Sequence, residues 1–441
     1  MNWIIFALGV CTASDAIEVL LINSLSSSST FQATFNREST GFSDVSSFTF
    51  FGMFLGGLTA SLLNNRMGLR NLLLTSLSAT FALSLLTNLA SDILCYSFLR
   101  LLIGISIGSS IPPTFTLASL HSNVKDRGRD ITSVAYFWMF GSIYISVAAY
   151  FMFEAFKDLD WRIFNVTCSL PSGFALFLVH QHVGEPKGTT RRGEVGVDQL
   201  KSMRNLYNKV EQRRRTVLLQ LCWFSLSFST FSLLSVITPL FSEVGIDSEY
   251  LVTVIFSSSA LVGNIGSYVC VGYIPRRTLL CASAVCASLS AFLFAFSADK
   301  TNEETNEETN ASSNGWVIIF AACLFQICDT AAWNVADIVS TEQFIERRSK
   351  ATGFGICSAT GRLGAFAAQF INGALIDGRA TELLVIDGVM LLICGICALG
   401  LDERCRFLVD GGDEEDEDDD DEAEEEYNDD NESKTLVGCI E

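Results

Sequence analysis

Apolar residues in this chain gather into blocks of about 20, the length that spans the hydrocarbon layer of a bilayer as a helix. The blocks follow one another from Trp3 to Leu399, with short polar stretches between most of them. Lipid offers no hydrogen-bond partners to the backbone, so each block must satisfy its own amides, and a helix does this. The expected fold class is all-α integral membrane.

Twelve spans are predicted. The first six are Trp3 to Leu25, Ser46 to Leu63, Leu72 to Ala90, Ile93 to Leu120, Thr132 to Phe156 and Ile163 to His180. After a polar interval come Thr216 to Phe241, Leu251 to Ile274, Thr278 to Phe296, Trp316 to Ser340, Ala351 to Leu375 and Leu384 to Leu399. The layout is an N-terminal six-helix lobe (1–180), a basic linker with an amphipathic helix (181–215), a C-terminal six-helix lobe (216–400) and an acidic tail (401–441). The first block is read as a span and not a signal peptide, because it lacks a basic start and continues past Asp15 and Glu18 to Ile22. Pro112-Pro113 in the fourth span predicts a break or kink.

Net charge is −20, but from Leu401 to Glu441 there are 20 acidic residues against 3 basic ones. The body is therefore close to neutral, and nucleic-acid binding has no electrostatic footprint. The tail cannot form a core and is expected to be disordered, a solvated segment or one that engages a protein partner. Basic residues in loops favour the cytoplasm. With the N-terminus inside, cytoplasmic loops hold 19 and the opposite loops 5, so both termini and the linker are expected in the cytoplasm, with the protein in the plasma membrane or an intracellular vesicle membrane. The repeat TNEETNEETN then lies outside as unstructured polar sequence, and Asn310 begins a glycosylation sequon within this loop.

Of the 14 cysteines most sit within apolar blocks and read as small packing residues, including the Cys394/Cys397 pair. His121, His180 and His182 lie at span ends with no company that would hold a metal. No phosphate cradle of the GxxxxGK[ST] type, no cofactor motif and no nucleophile-base constellation is present, which argues against an ATP-driven pump and against an enzyme.

Ionisable groups inside spans are costly, by roughly 2.5 to 3.5 kcal/mol on insertion scales, so each calls for a partner or a water-filled cavity. The candidates for solute binding or ion coupling are Asp15, Glu18, Arg100, Asp329, Asp337 and Arg362. Asp15 and Glu18, three apart, share a helix face and could form a coupling pair. Arg100 could bind a solute carboxylate or neutralise Asp15 or Glu18; Arg362 has the same choice with Asp329 or Asp337. Gln326, Asp329, Thr330, Trp333, Asn334 and Asp337 recur at intervals of three and four, a polar and aromatic stripe that would face a solute. Glycines 52, 56, 57, 104, 108, 361 and 364 read as sites of close helix approach.

Gly57 through Asn65-Arg66-Met67-Gly68-Leu69-Arg70 resembles the G-x-x-x-D-R-x-G-R-R signature of the major facilitator superfamily, with Asn65 at the acidic position and Leu69 at the first arginine of the closing pair. Arg100 with Gly104 and Gly108, then Arg127-Gly128-Arg129, is similar to a second stretch of that family; Leu120 and Asn123 stand where it has an acidic residue and a proline. Trp161-Arg162 and Gly184-Glu185-Pro186-Lys187 match further positions. Glu342-Gln343-Phe344, Lys350-Ala351-Thr352-Gly353 and Ser358-Ala359-Thr360-Gly361-Arg362-Leu363-Gly364-Ala365 resemble E-x-F-P-T-x-x-R-A-T-G followed by SATGRLGA. With Ser14-Asp15-Ala16-Ile17-Glu18, the combination resembles the branch holding synaptic vesicle glycoproteins and niacin, organic-ion and sugar carriers.

The resemblance implies two lobes that rock about a central site, and a cytoplasmic gate containing Gly57, Asn65, Arg66, Gly68, Arg70, Glu342 and Lys350. The implied function is secondary transport of a small organic solute, an organic ion, acid or sugar, coupled to protons. The altered gate positions leave open a transporter-like receptor or trafficking protein that no longer transports.

Overall fold

In the computed structural model, residues 3–37, 42–122, 127–156, 159–184, 206–243, 248–271, 273–303, 311–343, 347–376 and 379–402 are described. Within these, residues 61–66, 127–129, 243, 299–303, 311–314, 341–342 and 347–352 are described by their backbone alone.

The described residues are helical almost throughout. In order it forms α1 (Trp3–Ser26), a short α2 (Ser29–Phe35), α3 (Ser43–Met67), α4 (Leu69–Leu86), α5 (Ile93–His121), α6 (Arg127–Ala149) and α7 (Trp161–His182). Then come α8 (Val210–Glu243), α9 (Glu249–Val271), α10 (Arg276–Glu303), α11 (Ala311–Gln343), α12 (Arg347–Leu375) and α13 (Ala380–Leu399). Among the described residues, ten helices are long and apolar enough to cross a membrane; α3 and α12, interrupted by glycines and polar residues, are the other long helices there. Large apolar side chains such as Phe98, Phe177, Ile265, Phe296, Phe370 and Ile396 point away from the protein interior, as lipid-facing residues must.

Some boundaries differ from the sequence expectation. The linker's last residues, Val210 to Arg215, belong to α8, because their solvent-facing arginines continue the helix beyond the apolar block. Most of the predicted amphipathic linker helix, and Asn310, lie outside the described residues. Helices extend into both ends of the polar loop at 299–314, with α10 running to Glu303 and α11 starting at Ala311. The helix α2 has no counterpart among the predicted spans; it packs Phe31 against Phe42, Tyr96 and Trp161, with ring centroids 4.7 to 5.5 Å apart. Pro112 and Pro113 do not end α5, which runs through both. α3 packs closely along this helix, and Ser109 Oγ donates to Gly56 O at 3.2 Å beside the proline pair.

The two halves repeat one packing pattern. α1 packs on α6 and α7 as α8 packs on α12 and α13; α3 packs on α5 as α9 packs on α11; α4 packs on α7 as α10 packs on α13. Glycines set the closest of these approaches. A Cβ on Gly52, Gly56, Gly104 or Gly108 would lie 2.2 Å from a backbone oxygen of the facing helix in the α3–α5 pair. Gly263 serves the equivalent α9–α11 pair, against Ile327 O at 2.4 Å. Gly141 and Gly364 do so for α1–α6 and α8–α12, each 2.3 Å from an oxygen of its partner helix.

The lobes meet along α3–α12, α6–α9 and α1–α8. Toward the end remote from the start of α1 and the end of α13 the seam is polar and closed. Asn23 exchanges two 3.0 Å hydrogen bonds with Thr238, donating to its hydroxyl and accepting from its amide. Tyr250 OH donates to Ser24 O at 3.2 Å, and Leu251 N to Glu154 Oε2 at 3.2 Å. Ser146 and Ser257 join at 2.7 Å a few turns deeper.

Candidate functional site

Halfway along the bundle the seam turns aromatic. Phe231 of α8 lies 5.0 Å from Phe50 of α3 and 6.3 Å from both Trp138 of α6 and Trp333 of α11, centroid to centroid. The Arg362 guanidinium of α12 stands over the Phe231 ring at 5.8 Å, a cation–π contact between charge and hub.

Arg362 also faces two carboxylates, Asp15 on α1 and Asp337 on α11. Asp15 is 2% exposed and accepts a 2.9 Å hydrogen bond from Ser110 Oγ of α5, while its Oδ1 receives none. The cation of one lobe thus interacts with an anion of the other across the seam. Of the two partners that the sequence suggests for Arg362, the structure supplies Asp337; Asp15, from the opposite lobe, is an additional one.

Arg100 and Glu18 have a different setting. Both side chains are fully buried, with Nη1 donating to Glu18 Oε2 at 3.1 Å and to Glu18 O at 3.2 Å. Tyr96 OH accepts from Nε and Nη2 at 3.3 and 3.2 Å. A buried pair with these extra hydrogen bonds is tied together within one lobe. Asp15 and Glu18 both face α5 and feel each other's charge, but their hydrogen-bond partners differ, Arg100 for Glu18 and Ser110 for Asp15.

The predicted α11 stripe divides among three neighbours. Trp333 Nε1 donates to Thr230 Oγ1 at 2.8 Å, and that hydroxyl lies 2.8 Å from Asp329 Oδ1, so both residues engage α8. Asn334 Nδ2 donates to Asn264 Oδ1 at 2.6 Å and Ser267 Oγ at 2.8 Å on α9. Asn264 in turn reaches Met139 Sδ of α6 at 3.0 Å, across the seam. Only Asp337 of this stripe faces Arg362. Gln326 is buried with its Oε1 receiving no hydrogen bond.

One ionisable residue escapes the sequence reading: Asp387, fully buried in α13. Its signal is a single acidic residue within the last apolar block.

Of the gate residues, Gly57 has room for a Cβ, whose nearest neighbour would be Gly108 O at 4.0 Å. Gly68 adopts φ 83 at the α3–α4 turn, a conformation that favours glycine. Arg70 Nε donates to Val183 O at 2.6 Å and Nη2 to His180 O at 3.1 Å, closing the end of α7. The side chains of Asn65, Arg66, Glu342 and Lys350 lie outside the described residues. His182 stacks on Trp3 at 5.6 Å, and His121 Nδ1 lies 2.9 Å from Leu117 O of its own helix.

A family model described as Major Facilitator Superfamily matches residues 8–303. The Niacin transporter NiaP of Acinetobacter baylyi is 23% identical over 384 residues, covering 79% of this chain and 82% of that protein. Synaptic vesicle glycoprotein 2A of Rattus norvegicus is 28% identical over 181 residues, 39% of this chain; the aligned part spans only 24% of that relative's length. Among solved structures, a D-xylose-proton symporter superposes with a TM-score of 0.73 at 14% identity, covering 90% of this chain and 96% of that one. The inward open xylose transporter XylE from E. coli gives 0.70 at 13% identity, covering 89% and 94%. Repeated six-helix lobes, a charged and aromatic centre at their seam and a matching family model over most of the sequence agree: this chain is a multi-pass membrane protein that belongs to the Major Facilitator Superfamily.

Proposed function

We propose that the protein is a secondary transporter that moves a small organic solute, an organic ion, acid or sugar, by alternating access of its two lobes, coupled to protons through Asp15. The observation that carries this reading is Arg362 on α12 standing in the field of two carboxylates, Asp337 on α11 of its own lobe and Asp15 on α1 across the seam. Rocking the lobes changes the distance between Asp15 and Arg362 and their access to water. A proton on Asp15 cancels its attraction for Arg362 and so favours lobe separation. The aromatic rings around Phe231 offer apolar surface to the body of a solute, and Arg362 and Asp337 offer charge to its polar groups. The likeness to a niacin transporter and to a xylose-proton symporter is consistent with this class.

The 19 to 5 bias of basic residues supports cytoplasmic termini, in a plasma or vesicle membrane. A protein partner of the acidic tail would then engage it on that side. Uptake into proteoliposomes of a panel of organic acids, cations and sugars, with and without a pH gradient, tests the proposal. Accumulation of one class that depends on the gradient is expected.

A second reading, a transporter-like receptor or trafficking protein, is favoured by Asn65 and Leu69 in the gate motif and by the likeness to synaptic vesicle glycoprotein 2A. It gains if the purified protein binds a solute yet neither accumulates nor exchanges it.

A further inference from the structure

Inside the C-terminal lobe, two buried carboxylates lie within each other's electrostatic reach. Asp329 of α11 is 2% exposed and Asp387 of α13 is fully buried, and the two interact electrostatically. Neither Oδ1 nor Oδ2 of Asp387 receives a hydrogen bond, although the Ser232 hydroxyl is a close neighbour. That hydroxyl lies 2.8 Å from Asn372 Oδ1, and Asn372 Nδ2 donates to Ser232 O at 2.9 Å. Asp329 takes the Thr230 hydroxyl at 2.8 Å, and Thr230 receives the Trp333 indole N–H.

The surroundings are rich in oxygen and poor in positive charge. From the packed elements, the neighbouring groups are Thr230 and Ser232 on α8, with Asn372 of α12 bonded to Ser232, the Cys328 thiol on α11 next to Asp329 and Cys286 of α10 near Cys328. Arg362 of α12 is engaged with Asp15 and Asp337 instead. Two carboxylates in a dry interior cannot both stay ionised without a countercharge. Because both carboxylate oxygens of Asp387 are buried and take no hydrogen bond, the partner that suits them is a cation and not another acceptor.

We propose that Asp329 and Asp387, with the Ser232 and Thr230 hydroxyls and the Asn372 carbonyl beside them, form a buried site for one monovalent cation, a proton or Na+, within the C-terminal lobe. Carboxylate, hydroxyl and amide oxygens are the ligands a hard cation takes, and the same oxygens share a proton when no metal enters. Asp387 stands on α13, which packs on α8 and α10, and the site joins the aromatic hub of the seam through Thr230 and Trp333. The inference does not depend on the transport reading, because it concerns binding to the folded protein.

The test is thermal unfolding of the full-length protein in detergent, as wild type, Asp387→Asn and Asp329→Asn. Na+ is varied against choline at constant ionic strength, and pH is varied separately. Asn keeps the shape of Asp while removing the charge. The readout is the difference in melting temperature between wild type and each variant, which cancels contributions from other carboxylates. A ligand bound only by the folded state raises its stability. If Na+ occupies the site, the wild type gains on each variant as Na+ rises. If a proton occupies it, the wild type gains as pH falls, and without Na+ at alkaline pH D387N melts above the wild type. A difference that stays constant across both series for both variants overturns the proposal.

Discussion

Arg70 and Arg277, each the second residue of its helix, do the same work in the two lobes. Arg70 at the start of α4 donates to Val183 O and His180 O at the end of α7. Arg277 at the start of α10 donates to Leu401 O, just past the end of α13, at 3.1 Å. Each guanidinium meets the last carbonyls of the sixth long helix of its lobe, where orphan acceptors and the negative end of the helix dipole favour a cation. Arg214 adds a bond to Gly400 O at 3.1 Å, and Arg215 pairs with Asp402 at 3.0 Å.

Replacing either arginine by alanine is therefore expected to lower stability by about 1 kcal/mol, with no loss of the fold. Lysine at the same position should recover part of this, since it restores charge but not the forked geometry. Melting of R70A, R70K, R277A and R277K in detergent checks it; alanine variants as stable as wild type would show that these contacts contribute nothing.

Adjacent glycines give a sharper contrast. A methyl on Gly56 would sit 2.2 Å from Ile105 O, a rigid backbone atom, whereas one on Gly57 would meet nothing nearer than 4.0 Å. G56A must push α3 from α5 and is expected to cost about 1 to 3 kcal/mol, in the range of overpacked cores. G57A, one residue on, should be neutral or slightly stabilising, because alanine is the better helix former. Folded yield by size-exclusion chromatography separates the two, and equal behaviour would refute the close approach of α3 and α5 at Gly56.

Glu18 and Arg100 predict a different failure. Truncating one partner of a fully buried pair leaves the other charge stranded, at a cost of about 3 to 5 kcal/mol. R100A should thus yield little folded protein. The double variant E18Q/R100Q, which removes both charges, should fold better than R100A alone. A double variant no better than R100A would mean that Arg100 matters for its packing on Tyr96 more than for its charge.

The helices are legible in the sequence because each apolar block carries its own signal: every predicted span starts within six residues of the observed helix start and ends within seven of the observed helix end. What pairs with what is not legible. Asp15 meets Ser110 and Arg362, and Arg100 meets Glu18, across separations of 82 residues or more. Helical periodicity places a residue on a face and says nothing of which helix lies opposite. The α11 stripe shows this, since three helices share one face of it. Asp387 escapes for another reason: a lone acidic residue in the last block, with no polar neighbour at helical spacing, looks like part of the apolar run.

The division of labour between Asp15 and Glu18 is the basis of the final prediction. Glu18 is locked to Arg100 inside one lobe, so its charge does not change partners when the lobes move. Asp15 faces Arg362 of the other lobe and holds a single hydrogen bond, from Ser110. D15N should therefore fold normally and continue to exchange labelled for unlabelled solute, because exchange needs the binding site but no net proton movement. The same variant should lose accumulation driven by a pH gradient, since asparagine cannot take up and release a proton. Counterflow and gradient-driven uptake in the same proteoliposomes measure the two activities side by side. If D15N accumulates solute at the wild-type rate and with the same pH dependence, Asp15 is structural, and the coupling group is to be sought at Asp337, the other carboxylate that faces Arg362.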